Sequence, residues 1–262
     1  MTNCIEQLSV DVDDVVAVAM EAGQAILDVY RQDFRVEYKD DNSPLTLADR
    51  RSNQIILAGL ARLAPEVPVI SEESPIAPYE ERQQWTYFWL VDPLDGTKEF
   101  VARTDEFTVN IALIHKNEPV LGVVYAPALN RMYYATKDGG SYKVATDGTH
   151  QRLYGEFAES TDELVIVGSR SHHSPAMEDF LARHRQGSAQ VRFVAAGSSL
   201  KFCLVAEGQA HIYPRLAPTC EWDTAAAHVV ATESGKSVVQ YDCGEALTYN
   251  KPELVNPWFI CT

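Results

Sequence analysis

Apolar residues recur at helical spacing between Asp11 and Arg31, at Val15, Val18, Ala19, Ala22, Ile26, Val29 and Tyr30, which predicts a helix with one buried stripe. Phe34, Val36 and Tyr38 alternate with polar neighbours as in a half-buried strand, until Lys39-Asp-Asp-Asn-Ser-Pro44 breaks the pattern. A second helix is expected from near Thr46, with Ile55, Ile56, Leu60 and Leu63 on its inner face and Pro65 at its end. Val67 to Ile70 predicts a short strand running into Ser71-Glu-Glu-Ser-Pro75. Trp85 to Val91 predicts another. Pro93, with no amide hydrogen and a fixed φ, is expected to stop it at Asp92 and turn the chain.

Thr108 to His115, Pro119 to Tyr125, Arg131 to Thr136 and Ser141 to Val144 read as an antiparallel meander, with turns at Lys116-Asn117, Pro127 to Asn130 and Asp138-Gly-Gly140. Ala145 to Asp162 is polar and aperiodic, so it is expected to be irregular and to separate two lobes, 1–145 and 146–262. Beyond it, strands at Leu164 to Gly168, Val191 to Ala195, Ala210 to Tyr213 and Val238 to Tyr241 are predicted to alternate with helices at Ser174 to Arg185, Ser198 to Ala206 and Trp222 to Thr232. Alternation of this kind predicts a layered α/β fold.

At 262 residues the chain is long enough for one large α/β domain or two smaller ones sharing a core. The formal charge of −15, with no basic run longer than two residues, argues against nucleic acid as a partner. An acidic protein that handles phosphates must neutralise them locally, and bound cations would do so. The five cysteines, Cys4, Cys203, Cys220, Cys243 and Cys261, are scattered and odd in number, which predicts reduced thiols. Met1 to Asp14 has neither a basic n-region nor an apolar run, so no secretory signal is expected. Nor does any apolar stretch approach the ~20 residues of an integral membrane segment. The expected location is the cytoplasm; loose attachment to the cytoplasmic face of the inner membrane is left open, and so is the oligomeric state.

The candidate chemistry centres on Trp89-Leu-Val-Asp-Pro-Leu-Asp-Gly-Thr-Lys-Glu-Phe100. Asp92 and Asp95 stand at a strand end, followed by Gly96 and Thr97, whose amides could face an anion. Oxygen-only ligands select Mg²⁺, Mn²⁺ or Ca²⁺. The same residues also fit an Asp-Pro turn followed by an Asp-Gly turn. Asp49 falls in the first turn of the second helix, where Thr46-x-x-Asp49 equally fits a capping box. Glu72 and Glu73 follow another strand, and an acidic loop is normally just solvated. Yet two acid-bearing strand ends, one beside a Gly-Thr turn, match the way α/β sheets bind ligands beyond their strand termini. Asp223 is expected to open the last helix, where the macrodipole alone would favour a carboxylate. Gly197-Ser198-Ser199-Leu200-Lys201 enters a helix, with Arg215 shortly after; small residues, free amides and two cations could hold a second phosphate, or the two cations could simply be solvated.

Together, Glu72-Glu73, Asp92-Pro-Leu-Asp-Gly-Thr97 and Trp222-Asp223 resemble the inositol monophosphatase superfamily of Mg²⁺-dependent, lithium-sensitive phosphatases. Leu94-Asp-Gly-Thr-Lys-Glu-Phe100 and Gly197-Ser-Ser-Leu-Lys-Phe-Cys-Leu-Val-Ala-Glu-Gly-Gln-Ala210 are similar to its bacterial 3'(2'),5'-bisphosphate nucleotidases. The resemblance runs from the first helix to the C-terminus and implies a sugar-phosphatase-like fold of alternating αβαβα layers in two lobes. It implies two or three Mg²⁺ ions held by Glu72, Asp92, the Leu94 carbonyl, Asp95 and Asp223. It further implies catalytic roles for Asp49 and Thr97, which would position or deprotonate the attacking water, and for Glu72. Glu72, Leu94, Asp95, Gly96, Thr97, Lys98 and Asp223 would surround the scissile phosphate. Lys98-Glu99-Phe100 stands where inositol monophosphatases usually carry Thr-Asn-Phe, which argues against a simple inositol substrate.

A small-molecule bisphosphate nucleotide would place its second phosphate at Ser198, Ser199, Lys201 and Arg215, with His172 a weaker candidate on the nucleoside side. The expected reaction is removal of the 3'-phosphate of adenosine 3',5'-bisphosphate, or of its sulfated precursor, by a metal-activated water. Two alternatives stand beside it: an inositol mono- or polyphosphate phosphatase, and a non-catalytic sensor of bisphosphate nucleotides, which would need neither Asp49 nor Thr97. A covalent Asp-x-Asp phosphatase is excluded because Pro93 occupies the position its nucleophile would need.

Overall fold

A computed structural model describes residues 8–31, 36–38, 44–145, 147–157, 163–170, 174–187 and 190–262. Cys4, Phe34, the break at Lys39 to Ser43, and His172 lie outside the described residues. Helix α1 (Val12–Tyr30) starts where Asp11 caps the amide of Asp13 at 3.0 Å, and it buries Val15, Ala19, Ala22 and Ile26 completely. Strands β1 (Val36–Tyr38) and β2 (Pro44–Thr46) pair antiparallel and lead into α2 (Leu47–Leu63). Ile56 and Leu60 of α2 are fully buried, as the period predicts, while Ile55 and Leu63 are half-buried.

Seven strands form the main sheet in chain order: β3 (Val69–Ser71), β4 (Tyr87–Asp95), β5 (Thr108–His115), β6 (Glu118–Ala126), β7 (Arg131–Thr136), β8 (Gly140–Val144) and β9 (His150–Leu153). Only the β3–β4 pair is parallel. Two short helices, α3 (Tyr79–Arg82) and α4 (Thr97–Val101), precede and follow β4. The two-residue period of β4 and β5 sorts their side chains between two cores. Trp89, Val91, Val109, Ile111 and Leu113 pack with α1 and α2; Phe88, Leu90, Ala112 and Ile114 pack with α6 (Leu200–Ala206) and α7 (Ala225–Thr232).

Behind α6 and α7 lie the parallel pair β10 (Glu163–Gly168) and β11 (Gln190–Ala195) and the antiparallel set β12 (Tyr213–Arg215), β14 (Phe259–Cys261) and β13 (Val238–Gln240). Helix α5 (Pro175–Gly187) closes the outside with Met177, Phe180 and Leu181 against Ile166. The order of layers is therefore αβαβα. No helix among the described residues is long and apolar enough to cross a membrane.

At one point the middle layers touch through backbone. A Cβ built on Gly122 of β6 would lie 2.2 Å from the carbonyl oxygen of Ala226 in α7. Gly122→Ala is therefore expected to destabilise the fold by about 3 kcal/mol, the upper end of overpacking costs, because neither backbone can yield without parting the sheet from the helix. Urea unfolding checks this, and an unchanged midpoint would contradict the close approach.

Several expectations need correction. Strand β4 does not stop at Asp92. Asp92 pairs with Asn110 and Asp95 with Thr108, so β4 carries one extra residue in a bulge. Pro93 sits in the bulge, where no ladder bond asks for its missing amide; its carbonyl accepts from Ser52 Oγ at 2.7 Å, and the Leu94 amide turns to Asp92 Oδ1 at 3.1 Å. Strand β9 lies inside the segment expected to be irregular, held by pairing with β8 rather than by an apolar pattern. Of Ala210 to Tyr213, only Tyr213 belongs to β12; Ile212 instead bridges Ile166 of β10. Glu221–Asp223 is a 3-10 turn, so Asp223 precedes α7 rather than opening it. Helix α6 begins at Leu200, and Ser198 takes a left-handed φ of 41° just before it.

Candidate active site

The bulge in β4 and the parallel β3–β4 pair bring the first acids together. The Glu72 amide donates to the Val91 carbonyl at 3.2 Å, which sets Glu72 beside the end of β4. Glu72, Asp92 and Asp223 each offer a carboxylate oxygen, and these oxygens lie within 4.8 Å of one another. Asp95 joins from the far side of the bulge, its Oδ2 3.4 Å from Asn110 Nδ2 and 3.3 Å from Ser199 Oγ. Asp49, in the first turn of α2, is buried close enough to Asp92 for its charge to act on it. Gly96, at φ 88°, reverses the chain into α4, and Thr97 Oγ1 donates to the Leu94 carbonyl at 3.4 Å.

Asp223 is held by a stretch more than 25 residues further on. Its own carboxylate accepts from the Cys220 amide at 2.9 Å. Asn256 Nδ2, with two hydrogens to give, lies within hydrogen-bond distance of the carbonyl of Cys220 at 2.8 Å, Thr224 Oγ1 at 3.0 Å and Thr219 Oγ1 at 3.2 Å, spanning the turn. The fully buried Glu221 accepts from the amides of Asn250 at 2.6 Å and Lys251 at 3.0 Å. None of these residues sits in a motif, so only the folded chain reveals them.

The crowding of these acids around the buried Asp92 acts on their protonation. Burial, then the charges of Glu72, Asp95, Asp223 and Asp49, pushes the Asp92 carboxyl well above its usual range. Burial raises Asp95 to about 6, opposed chiefly by the nearby Lys201 ammonium. Burial and then Asp95 raise Asp223 to about 8, with the bond from the Cys220 amide opposing. Such a set stays charged only beside a countercharge. Three carboxylates converging on one point, with oxygen donors only, fit a hard divalent cation.

An open cleft adjoins the acids and is lined by Asp95, Glu99, Ser198, Lys201, Arg215 and Asp223 among others. Its lining thus carries both carboxylates and cations, with Lys201 near enough to Asp95 for the two charges to act on each other. Lys201 is buried, its Nζ 2.5 Å from the Ser198 carbonyl, and burial lowers it to about 8. Arg215 reaches the Pro218 carbonyl at 3.0 Å. Not every expected contact is presented as the motif suggested. The Gly197 amide is not free, since it donates to Glu106 Oε2 at 2.9 Å, and Ser198 Oγ donates to the Glu106 carbonyl at 2.9 Å. Lys98 is exposed on α4.

The layer order and the carboxylate cluster together define a class. The profile of the inositol monophosphatase family matches residues 8–258, and the chain belongs to that family. More closely, it is 47% identical over 253 residues to the 3'(2'),5'-bisphosphate nucleotidase CysQ of Salmonella typhimurium, covering 95% of this chain and 98% of that protein. Identity to the protein of the same name in Escherichia coli K12 is 46% over 250 residues, 94% of this chain and 97% of the other. The crystal structure of CysQ from Bacteroides thetaiotaomicron superposes with a TM-score of 0.85 at 41% identity, over 95% of this chain and 96% of that one.

Proposed function

We propose that the protein is a Mg²⁺-dependent phosphatase that removes the 3'-phosphate of adenosine 3',5'-bisphosphate to give AMP and phosphate, and that also accepts the sulfated precursor. One observation supports this reading: the cleft that holds Lys201 and Arg215 is also lined by Asp95 and by Asp223, and Asp223 belongs to the cluster with Glu72 and Asp92. A ligand that meets both the cations held by the acids and the Lys201 and Arg215 pair carries two anionic groups. An inositol monophosphate has nothing for that pair.

Glu72, Asp92, the Leu94 carbonyl, Asp95 and Asp223 would hold the cations. Bound there, divalent ions would neutralise the phosphate and lower the pKa of a water molecule. Thr97 Oγ1 and the Asp49 carboxylate would orient an attacking water, and Asp49 would accept its proton. Gly96 and Thr97 offer amides to the scissile phosphate at the start of α4. Lys201 and Arg215 take the 5'-phosphate, which fixes the ribose so that the 3'-ester faces the acids. The presence of Asp49 and Thr97 favours hydrolysis over mere sensing of the nucleotide.

Phosphate release tests the proposal directly. Adenosine 3',5'-bisphosphate is expected to be turned over with a kcat/KM at least tenfold above that of inositol 1-phosphate, about the discrimination one lost ion pair gives. Li⁺ is expected to inhibit both. Equal rates on the two substrates would move the assignment to the inositol phosphates, and binding without product would leave a sensor.

A further inference from the structure

Two buried polar side chains, neither of them a member of the carboxylate cluster, bridge its members. Asn110 on β5 is 1% exposed, and Ser199, just before α6, is 2% exposed. Asn110 Nδ2 lies 3.0 Å from Ser199 Oγ and 3.4 Å from Asp95 Oδ2. Ser199 Oγ in turn lies 2.8 Å from the Asp223 carbonyl and 3.3 Å from Asp95 Oδ2. A hydroxyl has one hydrogen to give. With the Asn110 amide as its donor, Ser199 gives that hydrogen to the nearer acceptor, the Asp223 carbonyl. The second hydrogen of the Asn110 amide group faces Asp95. The result is a continuous path from Asp95 through Asn110 and Ser199 to the backbone of Asp223.

Asp95 and Asp223 come from different layers of the fold and have no covalent reason to stay in register. Around them, the Gly197 amide and the Ser198 hydroxyl are already engaged by Glu106, while Lys201 and Arg215 supply the positive charge of the cleft lining. We propose that Asn110 and Ser199 are positioning residues that fix Asp95 against the Asp223 turn and so set the cluster's affinity for a divalent cation, and that Ser199 is not a contact for the substrate's second phosphate. The inference rests on the reading of the cluster as a cation site. Hydrogen-bond partners behind metal ligands typically govern affinity by 10–100-fold when removed.

Calorimetric Mg²⁺ titration of the metal-free protein tests it, with Ser199→Ala, Asn110→Ala, the double variant and Ser199→Thr beside the wild type. Each alanine variant is expected to weaken Mg²⁺ binding by about tenfold, and the double variant by little more than the worse single one, because both interrupt one path. Ser199→Thr keeps a hydroxyl and is expected to recover most of the affinity. At saturating Mg²⁺ the KM for adenosine 3',5'-bisphosphate stays at the wild-type value. Wild-type Mg²⁺ affinity in Ser199→Ala with a raised KM would overturn the proposal and make Ser199 an anion contact. A lowered unfolding midpoint with unchanged Mg²⁺ affinity would overturn it too, leaving a purely structural role. If Ser199→Ala does not fold, Ser199→Cys and Asn110→Ser carry the same comparison. A wild-type protein that gives no Mg²⁺ heat, matched by Asp95→Asn, would instead remove the underlying cation reading.

Discussion

Asp92→Asn is expected to lower kcat by about 10³-fold while making the metal-free protein more stable. The two effects share one cause. Asp92 is buried among Glu72, Asp95, Asp223 and Asp49, and both burial and like charge oppose its ionisation. An amide of the same shape keeps the Oδ1 contact with the Leu94 amide and removes the charge. A gain of roughly 1.5 kcal/mol would raise the unfolding midpoint by about 3–6 °C in a chain of this size. Phosphate release and a thermal scan on the same preparation read both effects. If the variant melts lower than the wild type without metal, the carboxylate is held by partners rather than strained by neighbours, and the cation requirement loses its main physical support.

The second large effect is a link between pH, metal and stability. Asp95 at about 6 and Asp223 at about 8 both lie above the ordinary value of 3.8, so the folded protein holds protons that the unfolded chain releases. The sign follows: stability from these groups is full below the unfolded value and is lost as pH rises through the folded values. The metal-free protein is thus expected to melt progressively lower from about pH 5 to about pH 8. A fixed Mg²⁺ concentration that is 100 times the Kd at about pH 8 adds about 2.7 kcal/mol there, about 5–10 °C, and the same concentration adds less at about pH 5, where protons compete for the carboxylates and raise the Kd. A stabilisation by Mg²⁺ that is equal at both ends of that range would mean that the ion binds elsewhere.

Much of this was legible in the chain, and the gaps have physical causes. Helices α1 and α2 follow from side-chain period because each has one face in a core, and strands β5, β6 and β7 from their apolar runs because each has both faces in one. Strand β9 and the short β12 and β14 carry no such period; their neighbours hold them in place. The bulge at Pro93 was hidden because a missing amide hydrogen reads as a stop, whereas an extra residue lets the strand step over it. The acids Glu72, Asp92 and Asp223 were recognisable from motifs, and the structure brings them together. Asn110, Ser52 and Asn256 had no signal, since an Asn or Ser in a strand or loop looks the same whether or not it serves an acid elsewhere.

The stretch from Tyr249 to Asn256 braces the Asp223 turn, and this has a temporal side. A ribosome delivers Glu72, Asp92 and Asp95 long before it delivers their last companion's support. Until residues 249–256 follow, the turn that carries Asp223 lacks the hydrogen bonds of Asn250, Lys251 and Asn256. The cluster is thus complete only once residues 249–256 have been made, well after the strand that carries Asp92 and Asp95.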